Sequence, residues 1–235
     1  MTVKGAVIWD FDGTLARRRP GAWSACSIEI LDRHEPGHGI PLEAIRPFFQ
    51  AGFPWHSPAV AHPELCDAGM WWGHVGRVIA RAYEGVGIRP GRAADLAMLF
   101  RDRYLDAQCW ELFDDAMTAL AGARELGWRN VVLSNHVPEL ATIVGELGLR
   151  SEIDAVVNSA VTGFEKPHPE AYRLARHAAG DLTIAWMVGD NYEADVGGAE
   201  AQGIRAILVR CSDARATLHA DGLADAVAII EGSTR

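Results

Sequence analysis

Seven side chains in four short stretches have the types and spacing to do chemistry: Asp10 and Asp12 in Asp10-Phe11-Asp12-Gly13-Thr14, Ser134 with Asn135, Lys166 before Pro167, and Asp190 with Asp195 after Gly189. Four carboxylates gathered in one place repel one another unless a cation neutralises them. Magnesium suits such a set, because it is a hard ion that takes carboxylate and backbone oxygens and also binds phosphate. Lys166 adds a fixed positive charge, and the Ser134 hydroxyl with nearby backbone N–H groups can donate to phosphoryl oxygens. Ser134, Asn135 and Lys166 are therefore the expected phosphate-binding residues. Once the charge of a phosphate is screened, a carboxylate can attack phosphorus, and Asp10 is the expected nucleophile. Asp12, two residues on across a turn at Gly13, is placed to protonate a departing alkoxide and then to act as base on the water that hydrolyses an aspartyl phosphate. A lone strand-end Asp is as often a turn former; the other three stretches, each following an expected strand or lying in a loop beside one, remove that reading here.

Such residues need strand ends to bring them together. Short β-rich runs occur at 6–9, 131–133, 155–157, 185–188, 206–209 and 227–230, with helix-like segments at about 114–127, 137–148, 168–179 and 192–202, several closed by glycine. Alternation of strand and helix predicts an α/β, doubly wound, Rossmann-like parallel sheet that binds ligands at the carboxyl ends of its strands. The stretch 16–110 breaks the alternation. It carries no strand signal and reads as helices near 22–34, 41–50, 69–84 and 91–106, separated by Pro- and Gly-rich turns. The expected division is a core of 1–15 and 111–235 with an inserted helical cap domain of 16–110.

Composition narrows the class. The 235 residues are 49% apolar and 23% charged, the balance of a folded globular chain. A formal net charge of −9 argues against a nucleic-acid partner, which would need clustered basic residues. Arg17-Arg18-Arg19 is the one dense basic run, either a solvated loop or a contact to an anionic substrate. Cys26, Cys66, Cys109 and Cys211 are widely spaced, which predicts core thiols without disulfides or a zinc ribbon. The first apolar stretch is cut short by Asp10 and Asp12, so neither a leader nor a membrane span is expected and the chain reads as cytoplasmic.

Taken together, the four stretches resemble the haloacid dehalogenase superfamily, whose motifs are a DxDGT strand end, a Ser or Thr after a second strand, a Lys before Pro, and a GDxxxxD acidic motif. The resemblance spans about residues 5–210. It implies that Asp10 is the nucleophile, Asp12 the general acid and base, and Ser134 and Lys166 phosphate binders. It also implies a Mg²⁺ ion held by Asp10, the Asp12 backbone carbonyl and Asp190, with Asp195 as a nearby support, and a mobile cap that selects the substrate. Members that cleave carbon–halogen bonds generally lack the second Asp of the first motif, so Asp12 points to a small-molecule phosphate ester as substrate. Members that cleave carbon–phosphorus bonds use a cap lysine. None lies between Lys4 and Lys166, and an arginine cannot lose its proton to take that part. A phosphomutase with the same aspartyl phosphate, a haloacid dehalogenase and a non-catalytic binding protein are the competing readings. Oligomeric state is not legible.

Within the insertion, Gly52 to Pro58 and Met70 to Arg77 concentrate tryptophan and histidine. Two readings stand: Trp55, Trp71 and Trp72 form the core of the small lobe or seal it against the sheet domain, or His56, His74 or Arg77 touch the leaving group of a substrate. His136 likewise reads as an entrance residue or as a structural histidine beside Pro138. His34 and His38, separated by Pro36 and Gly37 with no third ligand near, read as loop residues.

Overall fold

The computed structural model describes residues 3–233. Eight strands run in chain order: β1 (Gly5–Trp9), β2 (Ala16–Arg18), β3 (Trp110–Leu112), β4 (Trp128–Ser134), β5 (Ala155–Asn158), β6 (Ala185–Gly189), β7 (Arg205–Val209) and β8 (His219–Ala220). Six of them form one sheet in the order β5-β4-β1-β6-β7-β8, with every neighbouring pair parallel. β1 is buried along its whole length. Its side chains alternate between the faces, Val7 and Trp9 entering one apolar cluster and Ala6 and Ile8 the other, as a strand covered on both sides must. Helices Ala116–Glu125 and Leu223–Gly232 contribute to the first cluster, and helix Pro169–Ala178 to the second. The expected doubly wound α/β core is present. Asn130, buried on β4, is satisfied, since it accepts from Trp9 Nε1 at 3.0 Å and donates to the carbonyls of Leu120 and Glu152.

The run at 227–230 is not a strand. It lies inside helix Leu223–Gly232, whose buried residues Leu223, Ala226 and Ile230 recur at helical spacing. A four-residue apolar run carries no period of its own, and the sheet edge is instead the two-residue β8.

The stretch 16–110 differs from its reading in having strands at its ends. β2 pairs antiparallel with β3, Ala16 opposite Leu112 and Arg18 opposite Trp110. Three-residue strands are too short to show alternation. This ribbon also accounts for the basic run, which is neither a free loop nor a substrate contact. Arg18 is only 4% exposed and donates to Glu29 at 2.9 Å and to the carbonyls of Gly21 and Arg103; Arg17 and Arg19 pair with Glu111. Between the two strands lie helices Trp23–His34, Leu42–Ile45, Ala68–Gly85, Pro90–Met98 and Phe100–Leu105. Asp67 caps the longest by accepting from Met70 N at 3.0 Å. The segment expected as one helix over 91–106 breaks at Leu99.

All four cysteines are free. Cys26 and Cys109 are core thiols as expected, Cys66 is half-buried, and Cys211 is exposed, its thiol donating to the Asp190 carbonyl at 2.9 Å. Among the described residues no helix is long and apolar enough to cross a membrane.

Candidate active site

Register places the reactive residues on one edge. Trp9 at the end of β1 pairs with Val132 on one side and Val188 on the other, so Asp10, Ser134 and Asp190 all emerge at the carboxyl ends of neighbouring strands. The chain runs from β1 outward through β4 and β5, then returns to the other side of β1 as β6. A crevice must open where the order reverses.

Asp10 lies in that crevice. Its Oδ1 accepts from Ser134 Oγ at 3.1 Å and from Lys166 Nζ at 2.7 Å, and Lys166 Nζ also donates to Asp195 Oδ1 at 2.6 Å. Asp195 is held in turn by the Asn191 backbone N–H at 2.9 Å. The Thr14 hydroxyl sits between Asp10 Oδ2 and Asp190 Oδ1, at 3.4 and 3.3 Å. Two glycines make the crowding possible. A β-carbon at Gly13, whose φ is +90°, would fall 2.3 Å from Asp190 Oδ2, and one at Gly189 would fall 2.2 Å from Asp195 Cγ. Lys166 precedes a cis peptide bond to Pro167.

The electrostatics follow from burial and neighbours. Burial, then the charges of Asp10 and Asp190, push the Asp12 carboxyl up to about 7. Burial and the Asp10 charge push Asp190 upward, and burial pushes Asp195 upward against the pull of Lys166. Burial works against the Lys166 ammonium, yet the Asp10 and Asp195 carboxylates beside it raise it above the usual lysine range. Lys166 is thus a permanent cation, and Asp12 is a carboxylic acid able to hold a proton near neutral pH. Carboxylate oxygens of Asp10, Asp190 and Asp195 all lie within 4.8 Å of one another. An all-oxygen donor set of carboxylates crowded at one point fits a hard divalent cation.

Above these groups the crevice widens into a cleft of about 440 Å³. Asp10, Asp12, Ser134, Asn135, Lys166, Asp190 and Asp195 all line it. The side chain of Asn135, read from sequence as a phosphate binder, clamps the lysine loop: it donates to the Lys166 carbonyl at 2.9 Å and accepts from Lys166 N at 2.7 Å. The insertion supplies the roof through Trp23, Trp55, Pro58 and Tyr104, and His136 from the loop after β4 joins them.

His56, His74 and Arg77 are not brought to the cleft. His56 Nδ1 accepts from Phe53 N at 3.3 Å, His74 Nε2 bonds the Gly52 carbonyl at 2.8 Å, and Arg77 lies beside Trp72 and Met98 in a separate hollow. Both histidines close turns, which explains their place next to Pro54 and Gly52 without a substrate. Trp71 is buried in an apolar cluster continuous with one face of the sheet, Trp55 and Trp72 are half-buried against it, and Trp23 packs on Phe53 at 4.4 Å, Tyr104 at 4.6 Å and Trp55 at 5.5 Å. Sequence reasoning passed over Trp23 and Tyr104. Their signal was position, since they stand on the first and last helices of the insertion, beside the ribbon that ties it to the core. It also passed over Glu139, which accepts from Trp72 Nε1 at 3.0 Å and from Arg101 Nη2 at 2.7 Å and so fastens the insertion to the loop after β4.

Comparison with known proteins agrees with this geometry. The chain is 38% identical over 224 residues to a phosphoserine phosphatase of Thermus thermophilus, covering 86% of this chain and 87% of that one. Among solved structures, the HAD-hydrolase YfnB of Bacillus subtilis, bound to magnesium, superposes with a TM-score of 0.73 at 16% identity, covering 98% of this chain and 99% of that one. An L-2-haloacid dehalogenase of Xanthobacter autotrophicus superposes with a TM-score of 0.67 at 22% identity over 98% of this chain and 99% of that one, a likeness of fold. The family model for haloacid dehalogenase-like hydrolases matches residues 4–203, which include every acidic and cationic residue of the crevice, and the chain belongs to that family.

Proposed function

We propose that this hydrolase cleaves small-molecule phosphate monoesters through an aspartyl phosphate on Asp10. One arrangement carries the reading: Asp10 is held by Lys166 and Ser134 beside a second carboxyl, Asp12, that burial and the charges of Asp10 and Asp190 push up to about 7 in the metal-free protein. Loss of an alkoxide requires a proton, whereas loss of a halide does not. The similarity to a phosphoserine phosphatase supports the same reaction type.

In this reading Lys166 and Ser134 bind the phosphoryl oxygens and orient phosphorus toward a carboxylate oxygen of Asp10. Asp10 forms the P–O bond as the ester P–O bond breaks, and Asp12 gives its proton to the departing oxygen. Asp12, now a carboxylate, takes a proton from water as the water attacks phosphorus, releasing phosphate and restoring both side chains. Mg²⁺, held by Asp10, Asp190 and the Asp12 carbonyl with Asp195 beside them, would neutralise phosphate charge during transfer. Thr14 and Asn191 hold Asp190 and Asp195 in place for it. The helices between β2 and β3 act as a cap whose aromatic roof limits water at the reacting centre.

Phosphate release from para-nitrophenyl phosphate, with and without Mg²⁺, tests this for the wild type and Asp10→Asn. Release is expected only with Mg²⁺, falling at least ~10³-fold in the variant, the scale on which a lost nucleophile acts. Equal release by Asp10→Asn would overturn the assignment.

A further inference from the structure

Two roof residues, Trp55 and Pro58, belong to a stretch of the insertion, 54–66, that reaches the sheet domain before helix Ala68–Gly85 begins. Its far end rests on the loop that carries Lys166. The His62 N–H donates to the Gly163 carbonyl at 2.8 Å. A β-carbon at Gly163, whose φ is +77°, would fall 3.1 Å from both Cys66 Sγ and the His62 carbonyl carbon, so the two segments lie in direct contact. Floor and roof thus share one support: Lys166 bonds Asp10, and Gly163, three residues earlier, bears the stretch that carries Trp55 and Pro58.

Two side chains complete this junction. Glu165 is 1% exposed, and its Oε2 is sealed from solvent without a hydrogen-bond partner. His62 Nε2 is sealed and unpartnered in the same way and lies 3.9 Å from that oxygen. Glu64, far more exposed, flanks the other ring nitrogen, its Oε1 3.5 Å from His62 Nδ1. Buried polar groups are almost always partnered, and among the described residues Glu165 has no ion-pair partner but His62. Away from water such a pair is worth more than at a surface, and removing one member strands the other. Glu165 is not needed to place Lys166, which Asn135, Asp10 and Asp195 already hold.

We infer that His62 and Glu165 are positioning residues: paired across the junction, they hold the 54–66 stretch on the lysine loop and so fix Trp55 and Pro58 over a bound substrate. Neither touches the reacting atoms. Their effect falls on esters whose leaving group is large enough to meet the roof, a kinetic consequence that rests on the phosphatase reading above.

The test has two arms, both on the full chain. Backbone hydrogen exchange of residues 57–63, read by mass spectrometry without substrate, is expected to quicken ~10-fold in His62→Leu, the cost of leaving a buried group unpartnered. In His62→Gln, whose amide nitrogen can take the place of Nε2, it is expected to stay near the wild-type rate. In the kinetic arm, with Mg²⁺, His62→Leu is expected to raise KM for 2-naphthyl phosphate ~5-fold or more with kcat nearly unchanged. Acetyl phosphate, too small to meet the roof, should be turned over as by the wild type, and His62→Gln should restore KM for the naphthyl ester. Glu165→Met is expected to reproduce His62→Leu, and the double variant to cost no more than either alone, since each removes the same contact. Unchanged exchange in His62→Leu, or additive effects in the double variant, overturns the pairing. Loss of protection throughout helix Ala116–Glu125 in both single variants would make the pair a requirement for folding and overturns the positioning role. Faster exchange with an unchanged KM for the naphthyl ester, or an equal rise for acetyl phosphate, overturns the link to substrate. No release from either ester by the wild type sinks the phosphatase reading and that link with it, while the exchange arm still decides the pairing.

Discussion

The floor of the cleft and its roof are built on opposite terms. At the floor, Lys166 bonds Asp10 and Asp195, Asp190 lies within 4.8 Å of both carboxylates, and Asp12 lines the same crevice, all set around strand ends whose register the sheet fixes. In the roof, Trp23, Trp55 and Tyr104 pack on one another as non-directional apolar surface, and Trp72 and Arg101 tie the lobe to Glu139. Strong, direction-dependent forces demand particular residue types at particular places. Apolar packing demands only volume and shape, which many sequences supply. A fixed chemistry at the floor and an adaptable selectivity at the roof follow from that contrast.

The contrast breaks most visibly at Lys166. Replacing it with methionine leaves Asp10 and Asp195 buried without their cation, and the metal-free protein is expected to lose ~3–5 kcal/mol of stability, the cost of an uncompensated buried charge, measured by urea unfolding, together with nearly all activity. Asp12→Asn removes the proton donor while keeping the shape. Turnover of alkyl phosphates should fall ~10²-fold or more, with a smaller loss for para-nitrophenyl phosphate, whose leaving group hardly needs a proton; equal losses on both would deny Asp12 the acid role. A change at the roof should act on binding rather than chemistry. Glu139→Gln weakens a partly exposed contact to Arg101 and Trp72, worth ~1 kcal/mol or less, so a rise of a few-fold in KM with kcat nearly unchanged is expected from steady-state kinetics.

The smallest effect concerns pH. Asp12, Asp190 and Asp195 all have carboxyls raised above their ordinary value in the folded, metal-free protein. Between the ordinary value of 3.8 and about 7 the folded state binds more protons than the unfolded state, so stability is greatest below this window and declines as pH rises through it. Burial lowers the His136 and His56 imidazoles, which opposes this trend below about 6.5, so the comparison is made above it: thermal unfolding of metal-free protein is expected at a lower temperature at about pH 8 than at about pH 6.5, with Mg²⁺ raising it more at the higher pH. A stability that instead rises between those values would mean that the carboxylates are not crowded as described.

The same contrast decides what could be read from the chain alone. The floor was legible because charge and backbone freedom restrict it: Gly13 sits where a β-carbon would strike Asp190, and only lysine stood as a cation in the 163–167 loop. The sheet was legible because β1, β4, β6 and β7 each carry an apolar run of three or four residues with turn signals beside it. Length did not separate these from 227–230, which is equally long and helical, since helical and strand burial look alike over four residues. The ribbon of β2 and β3 was hidden by its arginines: Arg18 is buried through Glu29, and exposed Arg17 pairs with Glu111, partners that lie near in space and not in sequence. Asn135 was read by its place after Ser134, yet its amide serves the lysine loop. His56 and His74 drew attention by type, but imidazoles that close turns and imidazoles that meet substrates share the same letters. Trp23 and Tyr104 reach the cleft only through the way five helices pack, which no local pattern encodes.

The nucleophile is tested most directly by quenching the wild-type enzyme during turnover of a phosphate ester with Mg²⁺, reducing with borohydride, and locating the product by peptide mass. An aspartyl phosphate reduces to homoserine, and the expected result is homoserine at position 10 only when ester and metal are both present. Homoserine at another aspartate, or steady phosphate release with position 10 unmodified and Asp10→Asn still active, would contradict it.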